Sequence, residues 1–154
     1  MIKIILYTLT LLFVSCSGTP PQNIGLSRTS STGNTKTTLK PCPESPNCIT
    51  SYIHNNDRGH YMPPITFDDF TAKVRKKVLK YLNEHSRIKV VKSTDSYIYA
   101  EVTSLVFRFV DDLELYFESE GVLHFRSASR IGYSDLGVNK SHITSIKKII
   151  KDRF

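Results

Sequence analysis

The spacing of apolar positions changes along the chain, and each change marks a different kind of segment. From Phe67 onward, Phe67, Phe70, Val74, Val78, Tyr81 and Leu82 recur every three or four positions, while Lys73, Arg75, Lys76, Lys77 and Lys80 lie mostly off that stripe. That period predicts an amphipathic helix, with Thr66 as its N-cap and Asp69 reaching back as a short form of the capping box. After position 87 the period drops to two. Residues 87–92, 96–104, 109–117 and 121–127 read as strands, the first pair joined through Ser93-Thr94-Asp95 and the second through residues 118–121. In the third strand Leu113, Leu115 and Phe117 share one face and Asp112, Glu114 and Tyr116 the other. In the fourth, Leu123 and Phe125 alternate with Val122, His124 and Arg126. Ile143, Ile146, Ile150 and Phe154 then mark a terminal amphipathic helix, capped by Asn139 or Ser141. The order predicts an α+β fold of two layers: a mainly antiparallel four-stranded meander with one helix before the strands and one after.

The segment 126–139 breaks both periods. It packs two arginines, Tyr133, Asp135, three serines and two glycines into one connection, where an ordinary link between strand and helix needs only about 2–6 residues. Asp111, Asp112 and Glu114 lie in the neighbouring strand, so Arg126 and Arg130 can pair with them across the ladder and lock the segment as a structural network. The same residues admit a binding site. Arg126, Ser129, Arg130 and Tyr133 would hold an anionic or sugar-like headgroup, with Asp135 and Asn139 orienting the loop or capping the last helix. A third reading makes the carboxylates Asp111, Asp112 and Glu114 the acid–base groups of an envelope hydrolase, with His124 as base. No nucleophile elbow, phosphate loop or metal-binding pair accompanies them, so no catalytic residue, cofactor or metal is assigned.

Residues 4–14 form an uncharged, mostly apolar run preceded by Lys3, the pattern of a signal-peptide core. At about 1.5 Å per residue it is too short for a hydrocarbon slab of about 30 Å. Phe13-Val14-Ser15-Cys16 resembles the bacterial lipobox, which implies a signal peptide over residues 1–15 and a lipidated Cys16 that holds the protein to a membrane. Ser17, in place of a retaining Asp, points to the periplasmic face of an outer membrane in a cell that has one. Residues 16–40, rich in Ser, Thr, Gly, Pro and Asn, read as a flexible tether, leaving 41–154 for a single α+β domain.

The formal charge is +7. With an exported address, that excess points away from nucleic acid and towards a solvated basic helix face or an anionic lipid or glycan of the envelope. Once Cys16 is set aside, Cys42 and Cys48 are an even pair at short separation in an oxidising compartment, which favours a disulfide over zinc. His54, Asp57 and His60 read as turn formers of an irregular edge segment.

Three blocks in order, Cys42-Pro-Glu-Ser-Pro-Asn-Cys48, Phe109-Val-Asp-Asp112 and the 126–139 segment, resemble the family called domain of unknown function 1499 over residues 41–152. The resemblance implies an exported or organelle-targeted domain without a settled activity, and it supplies no catalytic residue. Together these readings predict a membrane-anchored envelope lipoprotein acting as a non-catalytic binding or structural module, of unknown oligomeric state.

Overall fold

The structure is a computed structural model, and it describes residues 24–31, 34–118 and 121–152. The expected signal peptide and Cys16 lie outside them. Two helices, α1 (Thr71–Glu84) and α2 (Val138–Lys151), bracket a meander of four strands: β5 (Ile88–Ser93), β6 (Tyr97–Thr103), β7 (Val110–Glu118) and β8 (Val122–Ser129). The predicted element order therefore holds, with the four strand boundaries shifted by one or two residues and the start of α1 by four.

The sheet is larger than the meander. Two short strands, β3 (Cys48–Thr50) and β4 (Ile65–Thr66), both pair antiparallel with the outer edge of β8, giving a six-stranded sheet in the order β3-β8-β7-β6-β5, with β4 also on β8. Strands of three and two residues carry too little alternation to be read from pattern. They exist because the free edge of β8 offers unpaired N–H and C=O groups that a passing chain can satisfy.

This pairing also moves the start of α1. Thr66 is part of β4 and cannot cap the helix; the N-cap is Phe70, which has no side-chain cap. Asp69 instead accepts the Phe70 N–H at 2.8 Å and pairs with Lys73. With no cap, α1 depends on its buried stripe of Val74, Val78 and Leu82. Phe70, expected on that stripe, is 84% exposed. At the β7–β8 turn, Gly121 adopts φ +75°, and a Cβ there would sit 2.6 Å from the Phe67 carbonyl oxygen. The Phe67 N–H donates to the Gly121 carbonyl at 3.0 Å, so glycine permits the close approach that seats β4.

One face of the sheet carries Ile98, Val102, Leu113, Leu115, Phe117, Leu123 and Phe125, packed against Val74, Val78 and Leu82 of α1 and Ile143 and Ile146 of α2. This is the main core, and burial of each such side chain contributes about 1.5–3 kcal/mol.

The opposite face is not left to solvent. Where a tether over 16–40 was expected, β1 (Leu26–Ser31) and β2 (Asn34–Leu39) form an antiparallel hairpin from Leu26↔Leu39 to Ser31↔Asn34. Leu39 is fully buried against Tyr52, Tyr97 and Tyr99, with Ile24, Leu26 and Tyr116 around them. The threonines that read as linker composition are β-branched residues that suit a strand, and Leu26 and Leu39 supply its apolar contacts. The expected two layers thus acquire a partial third.

Candidate functional site

The strand alternation that gives β7 one apolar face puts Asp112 and Glu114 on the other, beneath the hairpin. Both are fully buried. Glu114 lies directly across the ladder from Arg126, which donates from Nη1 to Glu114 Oε2 at 3.1 Å and from Nε to the Pro41 carbonyl at 3.3 Å. The other carboxylate oxygen, Oε1, accepts the Tyr97 hydroxyl at 2.6 Å and the Gly25 N–H at 2.7 Å.

Asp112 is held by Arg130. The Nε of Arg130 reaches both carboxylate oxygens at 3.1 Å, and Nη2 reaches Oδ1 at 2.8 Å, the Tyr99 oxygen at 2.9 Å and Glu101 Oε1 at 2.5 Å. The Tyr99 hydroxyl donates to Asp112 Oδ1 at 2.7 Å. Burial opposes the Arg130 charge, yet the Asp112 and Glu101 carboxylates more than offset it and hold the guanidinium protonated more firmly than usual. Tyr97 and Tyr99 are pushed well above the ordinary phenol range, chiefly by burial and then by Glu114 and Asp112 respectively. They are hydrogen-bond donors here and not acids. These arrangements satisfy buried charges that would be costly alone.

A second polar cluster lies on the helix side of the same strands. Asn139, fully buried, donates from Nδ2 to the Asn47 carbonyl at 2.8 Å and to Ser129 Oγ at 3.1 Å, and accepts the Ser127 hydroxyl at 2.6 Å. Asn47 donates to the carbonyls of Gly132 at 2.5 Å and Ser129 at 3.4 Å, and accepts the Ser45 hydroxyl at 2.7 Å. Cys42 and Cys48 form a disulfide with Cα atoms 5.8 Å apart, and the loop it closes is thereby sewn to the 126–139 segment. Asp135 performs the capping expected of Asn139 or Ser141: it accepts the N–H groups of Gly137 at 3.2 Å and Asn139 at 2.7 Å. The N-cap itself is Gly137, at φ 83°.

The residues singled out from sequence therefore divide among places that do not meet as one pocket. Asp112, Glu114, Arg126 and Arg130 lie under the hairpin. Ser129 and Asn139 lie on the helix side with Asp111, whose carboxyl is pushed up by burial, against an opposing hydrogen bond with Ser129. Tyr133 is 78% exposed. Tyr97, Tyr99, Glu101 and Asn47, central to the two networks, were not anticipated. The first three alternate along β6, a signal that was legible; Asn47 acts through backbone carbonyls, which leave no trace in sequence.

His124 faces the hairpin side but not the carboxylates of the hydrolase reading. Its Nδ1 lies 3.0 Å from Ser51 Oγ and its Nε2 3.6 Å from Glu118 Oε1, and the ring stacks on Tyr52 with centroids 4.2 Å apart. Burial holds the imidazole below its usual range, against the pull of Glu118. This has the order of a Ser–His–Glu relay, but Ser51 Oγ also accepts the Phe125 N–H at 2.9 Å and lies 3.3 Å from the Phe125 carbonyl, and Ser51 is only 5% exposed. Its hydroxyl is committed to the backbone of β8 and offers no open path to an incoming carbonyl.

Asp57 and His60 bond each other, and Asp57 accepts the Gly59 N–H at 3.0 Å, which makes them turn formers. Among the described residues no three His, Cys, Asp or Glu side chains gather as a metal site. No curated protein matches the chain, and no solved structure does. A family model does match. It covers residues 38–150, a span holding the cystine loop, the meander and both arginine–carboxylate pairs, so the chain belongs to the family described as protein of unknown function (DUF1499).

Proposed function

We propose that this protein is an exported lipoprotein, anchored by Cys16 to a membrane of the cell envelope, whose folded domain works as a non-catalytic module. The observation that supports the non-catalytic reading most is the pairing of its carboxylates. Glu114 and Asp112 are buried and bound to Arg126 and Arg130, while Asp111 faces the other side of the sheet and His124 is bonded to Ser51. Acid–base work needs carboxylates in one accessible cleft with their pKa values set apart. On this reading the 126–139 segment is a brace tying the cystine loop, β8 and α2 together, and its arginines serve the fold.

Anchoring is supported by the lipobox-like Phe13-Val14-Ser15-Cys16 after an apolar run. The test is expression of the full chain in a bacterial host fed labelled palmitate. Label on the chain and recovery in the membrane fraction are expected, and Cys16→Ser should abolish the label. A chain that takes no label with Cys16 intact, or a Cys16→Ser chain that still takes it, refutes the anchor.

A further inference from the structure

The positive charge of this protein is concentrated in one layer. Of its 21 basic and 14 acidic residues, nine basic and one acidic belong to α1 and α2; the remainder, twelve against thirteen, is balanced. Between the start of α1 and the end of α2 runs a groove of about 910 Å³, within the size range of about 300–1,000 Å³ typical of small-ligand sites.

Its floor and rim differ in chemistry. Phe67, Val74 and Ile150 supply the apolar surface. Lys73, Lys76, Lys77, Lys80 and Lys151 stand around it, against three aspartates, Asp68, Asp69 and Asp152. Lys77 donates to the Asp152 carbonyl and ties the two helices together across the groove. Lys73 and Lys80 make exposed i,i+4 pairs with Asp69 at 2.7 Å and Glu84 at 3.7 Å; such pairs are weak, so their ammonium groups can turn to a stronger anion. Lysine stems add apolar surface beneath charged tips. Phe70 flanks this groove: it adjoins Asp69, and its carbonyl accepts the N–H groups of Lys73 and Val74. It is a large aromatic left 84% exposed next to Asp69, which lines the groove.

We propose that the groove between α1 and α2 binds an anionic single-chain amphiphile, its acyl chain along Phe67, Val74 and Ile150 and its phosphate or carboxylate headgroup among Lys76, Lys80 and Lys151. An apolar floor selects a chain, a lysine rim selects an anion, and only a molecule with both satisfies the whole groove. The site does not depend on Cys16 or on the anchoring reading.

The chain contains no tryptophan, so the full chain carrying Phe70→Trp has a single reporter beside the groove. It is titrated with dodecyl phosphate below its micellar concentration, and in parallel with dodecyl maltoside and inorganic phosphate. Calorimetry on the unaltered chain measures binding without the reporter. Dodecyl phosphate is expected to bind with a saturable blue shift, dodecyl maltoside at least about tenfold more weakly, and inorganic phosphate not at all. Adding Lys76→Gln and Lys80→Gln should weaken dodecyl phosphate about tenfold or more, the worth of one charge-assisted hydrogen bond, with the far-ultraviolet dichroism unchanged. Equal affinity for the maltoside overturns the anionic selection, and an equal response to phosphate overturns the acyl site. An undiminished affinity in the double lysine variant places the binding elsewhere, such as on the apolar N-terminal run, and the absence of binding heat ends the proposal.

Discussion

Arg126→Ala tests whether the charged face of the sheet is structural. Arg126 is 1% exposed and its partner Glu114 is fully buried, so the substitution removes the guanidinium from an interior carboxylate that, among the described residues, keeps the Tyr97 hydroxyl and the Gly25 N–H as donors. It also deprives the Pro41 carbonyl of its Arg126 donor. Breaking a buried ion pair by deleting one partner costs about 3–5 kcal/mol. For a domain of this size about 1 kcal/mol corresponds to roughly 4 °C, so the midpoint should fall by about 12–20 °C. The assay is thermal unfolding followed by circular dichroism at neutral pH.

A single loss does not separate lost charge pairing from lost packing, whereas a double-mutant cycle does. In Arg126→Met with Glu114→Gln, no buried charge is stranded, and apolar bulk remains beneath the hairpin. The double variant should lose much less than the sum of Arg126→Met and Glu114→Gln alone, with a coupling of about 2 kcal/mol or more. Additivity within about 0.5 kcal/mol, or an Arg126→Ala midpoint within about 3 °C of wild type, would refute the reasoning and return Arg126 to the pool of residues available for a ligand.

The same logic gives three further expectations. Asp111→Asn should raise the midpoint at pH 7: burial lifts the folded-state pKa of Asp111, so the carboxyl favours folding below its unfolded value near 3.9 and loses that contribution as pH rises through the folded one. The advantage of Asn should therefore vanish by about pH 4, and a gap that widens on acidification would contradict it. Gly121→Ala should cost about 2 kcal/mol or more in chemical denaturation, because φ +75° disfavours any Cβ and the Phe67 carbonyl stands 2.6 Å from where one would sit; an unchanged midpoint would mean that β4 swings away freely. Replacing Cys42 and Cys48 together by serine should cost at most about 2 kcal/mol, because so short a loop gains little from closure and its prolines already stiffen it. A larger loss would show that the bond positions Asn47.

The meander was legible because its strands alternate cleanly: Leu113, Leu115 and Phe117 against Asp112, Glu114 and Tyr116 could face the core in only one register. Opposition of acidic β7 to basic β8 was legible for the same reason. What the pattern did not carry was the fate of the polar face. Burial of Asp112 and Glu114 depends on the hairpin of residues 26–39, whose Ser- and Thr-rich composition reads equally well as linker until Leu26 and Leu39 are seen to meet a tyrosine cluster. Thr66 failed as a cap because a tertiary contact, the β8 edge, claimed it first. Asn47 and Asn139 work mainly through backbone carbonyls and hydroxyls, whose positions exist only after folding.

The Glu114–Arg126 pair also explains how so polar a hairpin finds its place. Gly25, just before β1, donates its N–H to Glu114, and Pro41, just after β2, offers its carbonyl to Arg126. One ion pair therefore grips both ends of the hairpin. Exposed on a bare sheet, such a cross-strand pair contributes only about 0.2–1 kcal/mol; covered, its disruption costs several times that. The hairpin has few apolar contacts with which to set its register, so polar clamps at its two ends do much of that setting. The family match begins at residue 38, which puts the Pro41 clamp inside the matched domain and Gly25 outside it. Ile24, packed beside the tyrosine cluster, and then Gly25 are the first described residues after the proposed Cys16 anchor, so tension on that segment would act on the Ile24 packing and next on the Gly25–Glu114 bond, and through it on the ion pair that locks the sheet.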